Sequence, residues 1–169
     1  SMFDRVRGYH AGGTGQAGFA GGRAGVAALF DGHPSNVVSG IIELVRILKK
    51  KFPGLLVTST RDHGAITSTG GISDHPSGHA VDLASADYSI MDRATAYIKS
   101  SGIAKKLKQG IHNPGLAINQ GQNVGAGFFA GAWPQHINHI HLAMAGALGR
   151  VADMITNIAK QVVEGPDGG

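Results

Sequence analysis

The sequence predicts an α+β fold, because apolar patterns of helical and of strand-like spacing are interspersed along the chain. In residues 35–52 the apolar side chains recur at helical spacing, and Pro53 and Gly54 end the pattern. Two more segments have helical periodicity and three short apolar runs are typical of buried strands. The helical segments are 90–101 and 148–163, and the strands are 55–60, 80–84 and 137–144.

Composition divides the chain into an arm, one domain and a tail. The 169 residues include 27 Gly, and many of them fall within residues 1–33, which indicates a flexible Gly-rich linker or arm. We expect the folded domain to span 34–163 and a short tail to span 164–169. Residues 103–132 are rich in Gly, Asn and Gln, and their pattern assigns neither helix nor strand.

Several classes of protein are excluded by what the sequence lacks. Without Cys there can be no disulfide scaffold, thiolate zinc site or cysteine nucleophile. The net charge of +4 comes from scattered basic residues and aromatics make up 6%, so no nucleic-acid surface is predicted. No apolar run is long enough for a membrane span. Glutamate occurs only at Glu43 and Glu164, which excludes a His-Glu-x-x-His metalloprotease.

A formal dinucleotide-binding pattern, G-x-G-x-x-G, occurs at Gly13–Gly18. The preceding residues are mostly polar, and the next acidic residue, Asp31, comes too early for the ribose contact. We therefore interpret the pattern as a chance product of the Gly-rich tract.

Histidines and one aspartate concentrate in two segments, 73–83 and 133–142. Alternate residues of a strand share a face, so His139 and His141 point to one side of their strand. Asp82 lies in an otherwise apolar strand and needs a partner, because a buried charge is costly when it is unpaired. Together with His75 and one histidine of the second segment, Asp82 would leave one tetrahedral position for water, as in a catalytic zinc site.

These residues form a motif that resembles a known superfamily. The pattern is Ser73-x-His75-x-x-Gly78-x-Ala80-x-Asp82, followed by His139-x-His141. It is similar to that of the zinc peptidases of the lysostaphin, D-Ala-D-Ala-peptidase and hedgehog superfamily, nearest to the D,D-carboxypeptidase and endopeptidase branch. With His136 included, the second part also resembles the penicillin-insensitive murein endopeptidases. The resemblance covers residues 55–145 and implies a small antiparallel sheet that carries a zinc site and is flanked by helices.

The resemblance also implies a role for particular residues. His75, Asp82 and His141 would bind Zn²⁺, and His139 would orient or deprotonate water or stabilise the oxyanion. Other branches have a Glu where this chain has Asn138, so the sequence fits the branch that uses histidine. The proton acceptor is then either His139 or the metal-bound water itself.

Other positions have two interpretations each. Arg61 matches an arginine that binds a substrate carboxylate or the oxyanion in the family, or it is an ordinary surface residue. His136 would assist catalysis only if the strand begins later than predicted or is bulged. Ser73 would orient a metal ligand or simply form a turn, and Trp133 would line the cleft or pack against the strand.

The expected function is zinc-dependent hydrolysis of a peptide bond in the stem or cross-link of bacterial peptidoglycan, for cell-wall penetration or lysis. Ser1 precedes Met2, and the arm is Gly-rich, so we expect part of a longer polypeptide. The arm resembles segments around peptidase modules in phage tail tape-measure proteins, which favours a virion. An endolysin or an enzyme secreted to the cell wall remains open. The alternatives are a zinc-containing wall-binding module without turnover and a structural virion domain.

Overall fold

The computed structural model describes residues 25–67 and 70–145, which form an antiparallel sheet with two 13-residue helices, besides helical residues at 25–28. The helices are α1 (Ser39–Lys51) and α2 (Tyr88–Ser100). The strands are β1 (Leu56–Ser59), β2 (Ala80–Ala84), β3 (Leu107–His112), β4 (Leu116–Asn119), β5 (Gln122–Asn123) and β6 (Ile140–Met144). Their spatial order is β1-β2-β6-β3-β4-β5, and neighbours run antiparallel. The α+β prediction is confirmed at this level.

Some predicted features lie outside the described residues. These are the helix at 148–163, the tail at 164–169, the G-x-G-x-x-G pattern and residues 1–24 of the arm. Within the described residues, no helix is both long and apolar enough to cross a membrane.

The central strands separate an apolar face from a polar one. Val81 and Leu83 of β2 and Ile140 and Leu142 of β6 are fully buried in one core with the inner faces of α1 and α2. Side chains alternate along a strand, so Asp82 points to the opposite face of the sheet. His141 pairs with Asp82 in the register and shares that face. The apolar residues thus fix the faces on which the two polar residues meet.

The helix boundaries follow local chemistry. Val38 has extended dihedral angles, so α1 begins four residues after the predicted start, and Lys49, Lys50 and Lys51 occupy its last turn. Asp87 caps α2 by accepting a hydrogen bond from the Ser89 N–H, and this helix therefore begins two residues earlier than predicted.

The sequence prediction was wrong about the start of the third strand. β6 begins at Ile140 rather than at residue 137, because Trp133–His136 form a 3₁₀-helix and the next three residues lie outside the strand. β2, by contrast, spans the predicted residues. The segment without a clear period contains β3, β4 and β5, together with 3₁₀-helices at Ala104–Lys106 and Ala126–Phe129.

Part of the Gly-rich stretch belongs to the packed structure. Phe30 is fully buried in the main core. The Asp31 carboxylate accepts a hydrogen bond from the Val57 N–H in β1, and the Pro34 carbonyl accepts one from Thr60 Oγ1. The packed part of the chain therefore begins before Pro34 and runs beside the edge strand.

Candidate metal centre

Three donor atoms meet on the polar face of the sheet. Asp82 Oδ1 lies 3.3 Å from His75 Nε2 and 3.0 Å from His141 Nδ1, and the two nitrogens are 3.2 Å apart. The donors of a tetrahedral zinc site, each about 2.05 Å from the ion, would be roughly 3.3 Å apart. The observed triangle has nearly this size. The structure therefore brings together the three residues that the sequence predicted as metal ligands.

The hydrogen bond at His75 Nδ1 shows which nitrogen is free. Nδ1 lies 2.9 Å from the Thr60 carbonyl oxygen, which can only accept, so Nδ1 carries the proton. In the neutral ring Nε2 then has a lone pair that points at the Asp82 carboxylate. At this distance Nε2 and the carboxylate attract each other only through a shared proton or a shared cation. A carbonyl that holds the far nitrogen is the usual support of a metal-ligating histidine.

Asp82 is held in the ionised form. Burial alone would raise its pKa, but hydrogen bonds and charge interactions from His141 and then His75 outweigh burial and lower the pKa far below its ordinary value. Ser59 Oγ donates a further hydrogen bond of 2.6 Å to Oδ2, from the neighbouring strand β1. This bond leaves Oδ1 to face the two histidines. The three residues thus have the chemistry that a divalent cation requires, and they fit zinc.

His63 is a further donor at the mouth of the site. It follows β1 in an exposed loop, and its ring stacks on His75 with the centroids 4.5 Å apart. His63 Nε2 lies 3.9 Å from Asp82 Oδ2. The ligand atoms of His63, His75 and Asp82 all lie within 4.8 Å of one another, a group that could hold a metal ion. The sequence analysis did not identify this donor, since nothing in the spacing places the loop over the strand.

His139 and His136 line the same cleft as the donors. Their rings are 4.7 Å apart, and the His136 ring is 5.8 Å from that of His141. His136 reaches the site from the end of the 3₁₀-helix, because the strand begins later than predicted. The end of β3 fixes the segment: the Asn113 N–H donates to the His136 carbonyl, and His112 Nδ1 bonds the His139 carbonyl.

The cleft histidines on this segment are neutral at pH 7. Burial lowers the pKa of His139 to about 4, with the Asp82 charge opposing the shift, and burial also lowers the pKa of His136. Asn138 Oδ1 accepts the Nδ1 proton of His139 at 2.8 Å. The Nε2 lone pair of His139 is thus available to accept a proton from water. Asn138 thus orients the neighbouring histidine.

Arg61 does not line the cleft. Its side chain is exposed, and its guanidinium lies beside Gly78 of the loop 73–79 that precedes β2, which we call the metal loop. Arg61 lies within a tight turn in which the Thr60 N–H donates to Asp62 Oδ1, and it is not among the residues that line the cleft. The structure therefore brings His139 and His136 to the site but not the predicted arginine.

Two other positions that the sequence analysis discussed are Ser73, which lines the cleft, and Trp133, which does not. Ser73 Oγ accepts a hydrogen bond from the His75 N–H and holds the metal loop. Trp133 packs against the small core of Ile111, Ala117 and Phe129 rather than lining the cleft.

The cleft around the donors has a volume of about 300 Å³ and two unlike walls. One wall is apolar, with Ile111, Phe128 and Phe129, and the other carries His63, Thr67 and Ser73. None of the described residues that line it is Lys or Arg.

Comparison of the chain with protein-family models, with curated protein sequences and with solved structures gave no match.

Proposed function

We propose that this chain is a zinc-dependent peptidase that hydrolyses a peptide bond of bacterial peptidoglycan, at the cell wall or as part of a virion tail. The observation that carries the proposal is the triangle of His75, Asp82 and His141. Its donor atoms are spaced as zinc requires, and they open into a cleft that a peptide can enter. Peptidoglycan as the substrate rests on the resemblance of the motif to cell-wall peptidases.

In the proposed reaction, different residues bind the metal, orient its ligands and transfer the proton. A bound zinc ion supplies a Lewis acid and lowers the pKa of water. His75, Asp82 and His141 hold the ion, while Thr60 and Ser59 fix the orientation of two of these ligands. His139 is neutral and presents Nε2 to the cleft, so it accepts the proton of the attacking water and can return it to the leaving amine.

The lining of the cleft favours a bond inside a peptide over its terminal bond. A carboxypeptidase must bind the free carboxylate of its substrate, and Arg is over-represented where a carboxylate is recognised. The described lining offers neither Lys nor Arg, and Arg61 points elsewhere. Gln109 and Gln135 can instead bond the uncharged backbone of a continuing peptide, and Phe128 offers an apolar surface. We therefore propose cleavage of an internal or cross-linking bond.

The proposal is tested by digesting purified peptidoglycan with the zinc-loaded protein and identifying the products by mass spectrometry. We expect new internal cleavage products without release of a free terminal residue. His139→Ala should keep its zinc and lose about 100-fold or more in rate, because the proton acceptor is missing. His75→Ala should lose the zinc as well.

The matched control is His79→Ala. His79 belongs to the same loop as His75, but it bonds Ser77 Oγ and does not line the cleft, so this variant should remain active. A zinc-loaded wild type that releases no peptide would reject the enzyme and favour a wall-binding module. Release of single terminal residues would reject the internal bond.

A further inference from the structure

The four candidate donors, which are Asp82 and the three histidines around it, differ in how far the fold buries them. The side chains of His75, Asp82 and His141 are 2%, 6% and 11% exposed, whereas that of His63 is 45% exposed. Three donors thus belong to the floor of the cleft, and the fourth lies on an exposed loop at its mouth.

The hydrogen bonds of His63 repeat the pattern of His75. His63 Nδ1 lies 3.3 Å from the Gly64 carbonyl oxygen, which can only accept, so the proton is on Nδ1. The Nε2 lone pair is then free and lies on the side of the ring near Asp82, 3.9 Å from Oδ2. The Nε2 atoms of two stacked histidines thus converge on one carboxylate, an arrangement that a shared cation would stabilise.

The Thr60 carbonyl links the two histidines. It accepts the Nδ1 proton of His75 at 2.9 Å and the backbone N–H of His63 at 3.2 Å. Thr60 is itself fully buried. The position of His63 relative to the floor of the site is therefore built into the structure, although its side chain is exposed.

We propose that His63 is a fourth, exchangeable ligand of the metal ion and closes the coordination sphere in the resting protein. With it bound, the protein supplies four donors, which is the arrangement of a structural zinc site; with it displaced, the site has the open position of a catalytic one. Its exposure makes it the ligand that leaves when substrate enters. That second step rests on the proposed function, whereas the ligand role does not.

Zinc affinity provides the first test, by competition with a chelator. We expect His63→Ala and His63→Gln to bind zinc roughly tenfold more weakly than wild type, because a direct donor is lost. His79→Ala, which removes a histidine outside the cleft, should bind zinc like wild type.

Azide provides the second test, because it binds only where a coordination position is open. The cobalt-substituted proteins are titrated with azide and followed by absorption in the visible range. Both His63 variants should respond at azide concentrations roughly tenfold lower than wild type needs, since no side chain competes for the position. His79→Ala should match wild type.

Identical zinc affinities and identical azide titrations in wild type and both His63 variants would overturn the proposal. Neither readout depends on hydrolysis, so the two proposals can fail separately. A chain that binds zinc and shows the azide difference without cutting peptidoglycan would reject the enzyme alone. A chain that cuts peptidoglycan while neither zinc affinity nor the azide titration differs in the His63 variants would reject the role of His63 alone.

Discussion

At the scale of single residues, the partner of Nδ1 decides what each histidine can do. His63, His75, His136 and His139 all place Nδ1 next to an oxygen that only accepts, which leaves Nε2 unprotonated on the neutral ring. His141 is different, since its Nδ1 faces Asp82 and His75. The clustering of histidines in the sequence indicated a metal site, but only the folded backbone shows which nitrogen is available.

The sequence predicted the three buried donors but not the fourth. Strand parity put His139 and His141 on one face and Asp82 opposite its apolar neighbours. The resemblance then implied His75, Asp82 and His141 as the ligands. His63 is brought to them by the turn at Thr60 and Asp62, where a side-chain oxygen accepts the Thr60 N–H. No periodicity in the sequence reports such a turn, so the donor was missed and Arg61 was given a place that the structure does not provide.

The hydrogen bond between Ser59 and Asp82 predicts that the serine contributes to zinc affinity. Its hydroxyl holds Asp82 Oδ2 at 2.6 Å and so aims Oδ1 at the two histidines. We expect Ser59→Ala to weaken zinc binding about 10- to 100-fold while the protein remains folded, because the ligand loses its orientation and not its charge. Chelator competition measures the affinity, and circular dichroism checks the fold.

Ser77→Ala is the control for Ser59→Ala. Ser77 Oγ is exposed and bonds His79 and the Asp74 carbonyl, away from the metal donors. Its loss should leave zinc affinity unchanged. Equal affinities in wild type and Ser59→Ala would show that the serine does not orient the carboxylate.

At the scale of elements, the bounds of a strand were predicted correctly where its apolar pattern was unambiguous. β2 was predicted to the residue because apolar side chains surround a single acid. The hairpin of β4 and β5 was missed, since its turn is Gln120-Gly121, both with positive φ, rather than the Asn-Gly or Asp-Gly pair that marks such turns. The strand β3 was hidden by Gly110 and polar neighbours, and its pairing with β6 stabilises it.

The conformation of the metal loop predicts that a side chain at residue 78 would lower the stability of the protein. The φ of Gly78 is +78°, and a Cβ there would lie 3.1 Å from Val37 Cα, where the loop packs on the start of α1. The Gly78 carbonyl also accepts the Val38 N–H. We expect Gly78→Ala to lower the free energy of unfolding by about 1–3 kcal/mol, because the backbone is strained and the loop must shift.

Gly102→Ala is the matched substitution at the end of α2. A Cβ on Gly102 meets nothing within 4 Å, and its φ is not in the left-handed region. Urea denaturation of the two variants compares them directly, and Gly102→Ala should stay within about 0.5 kcal/mol of wild type. Equal stabilities would show that the loop does not require glycine at residue 78.

At the scale of the whole molecule, the sheet has the apolar core on one face and the metal donors Asp82 and His141 on the other. Composition predicted that residues up to 33 form an arm, yet Phe30 is buried and Asp31 bonds β1. Composition averages over a tract, so it cannot detect one aromatic residue that packs against the core. The same segment contacts the turn before His63, through Pro34 and through the His33 Nδ1 to Asp62 Oδ2 contact of 2.7 Å. The end of the arm therefore contacts the turn that positions His63.

The cleft histidines also make the stability of the whole metal-free protein depend on pH. The pKa of His139 is about 4 in the folded chain and about 6.5 when unfolded, so between these values the unfolded state binds more protons. The free energy of unfolding should be constant above about pH 6.5 and fall as the pH drops toward 4. His136 shifts in the same direction and adds to the fall. Asp82, whose pKa is lowered, loses its contribution only at more acidic pH.

His139→Gln separates this effect from general acid unfolding. Urea denaturation in the presence of a chelator at pH 7.5 and at pH 4.5 gives the stability lost by each protein. The variant has no imidazole to protonate at residue 139, so its free energy of unfolding should fall less than that of wild type between the two pH values. His79→Gln is altered outside the cleft, so its free energy of unfolding should fall as much as that of wild type. Equal losses in wild type and His139→Gln would mean that burial does not hold this ring neutral, and the histidine would then be protonated in mild acid and could not accept a proton there.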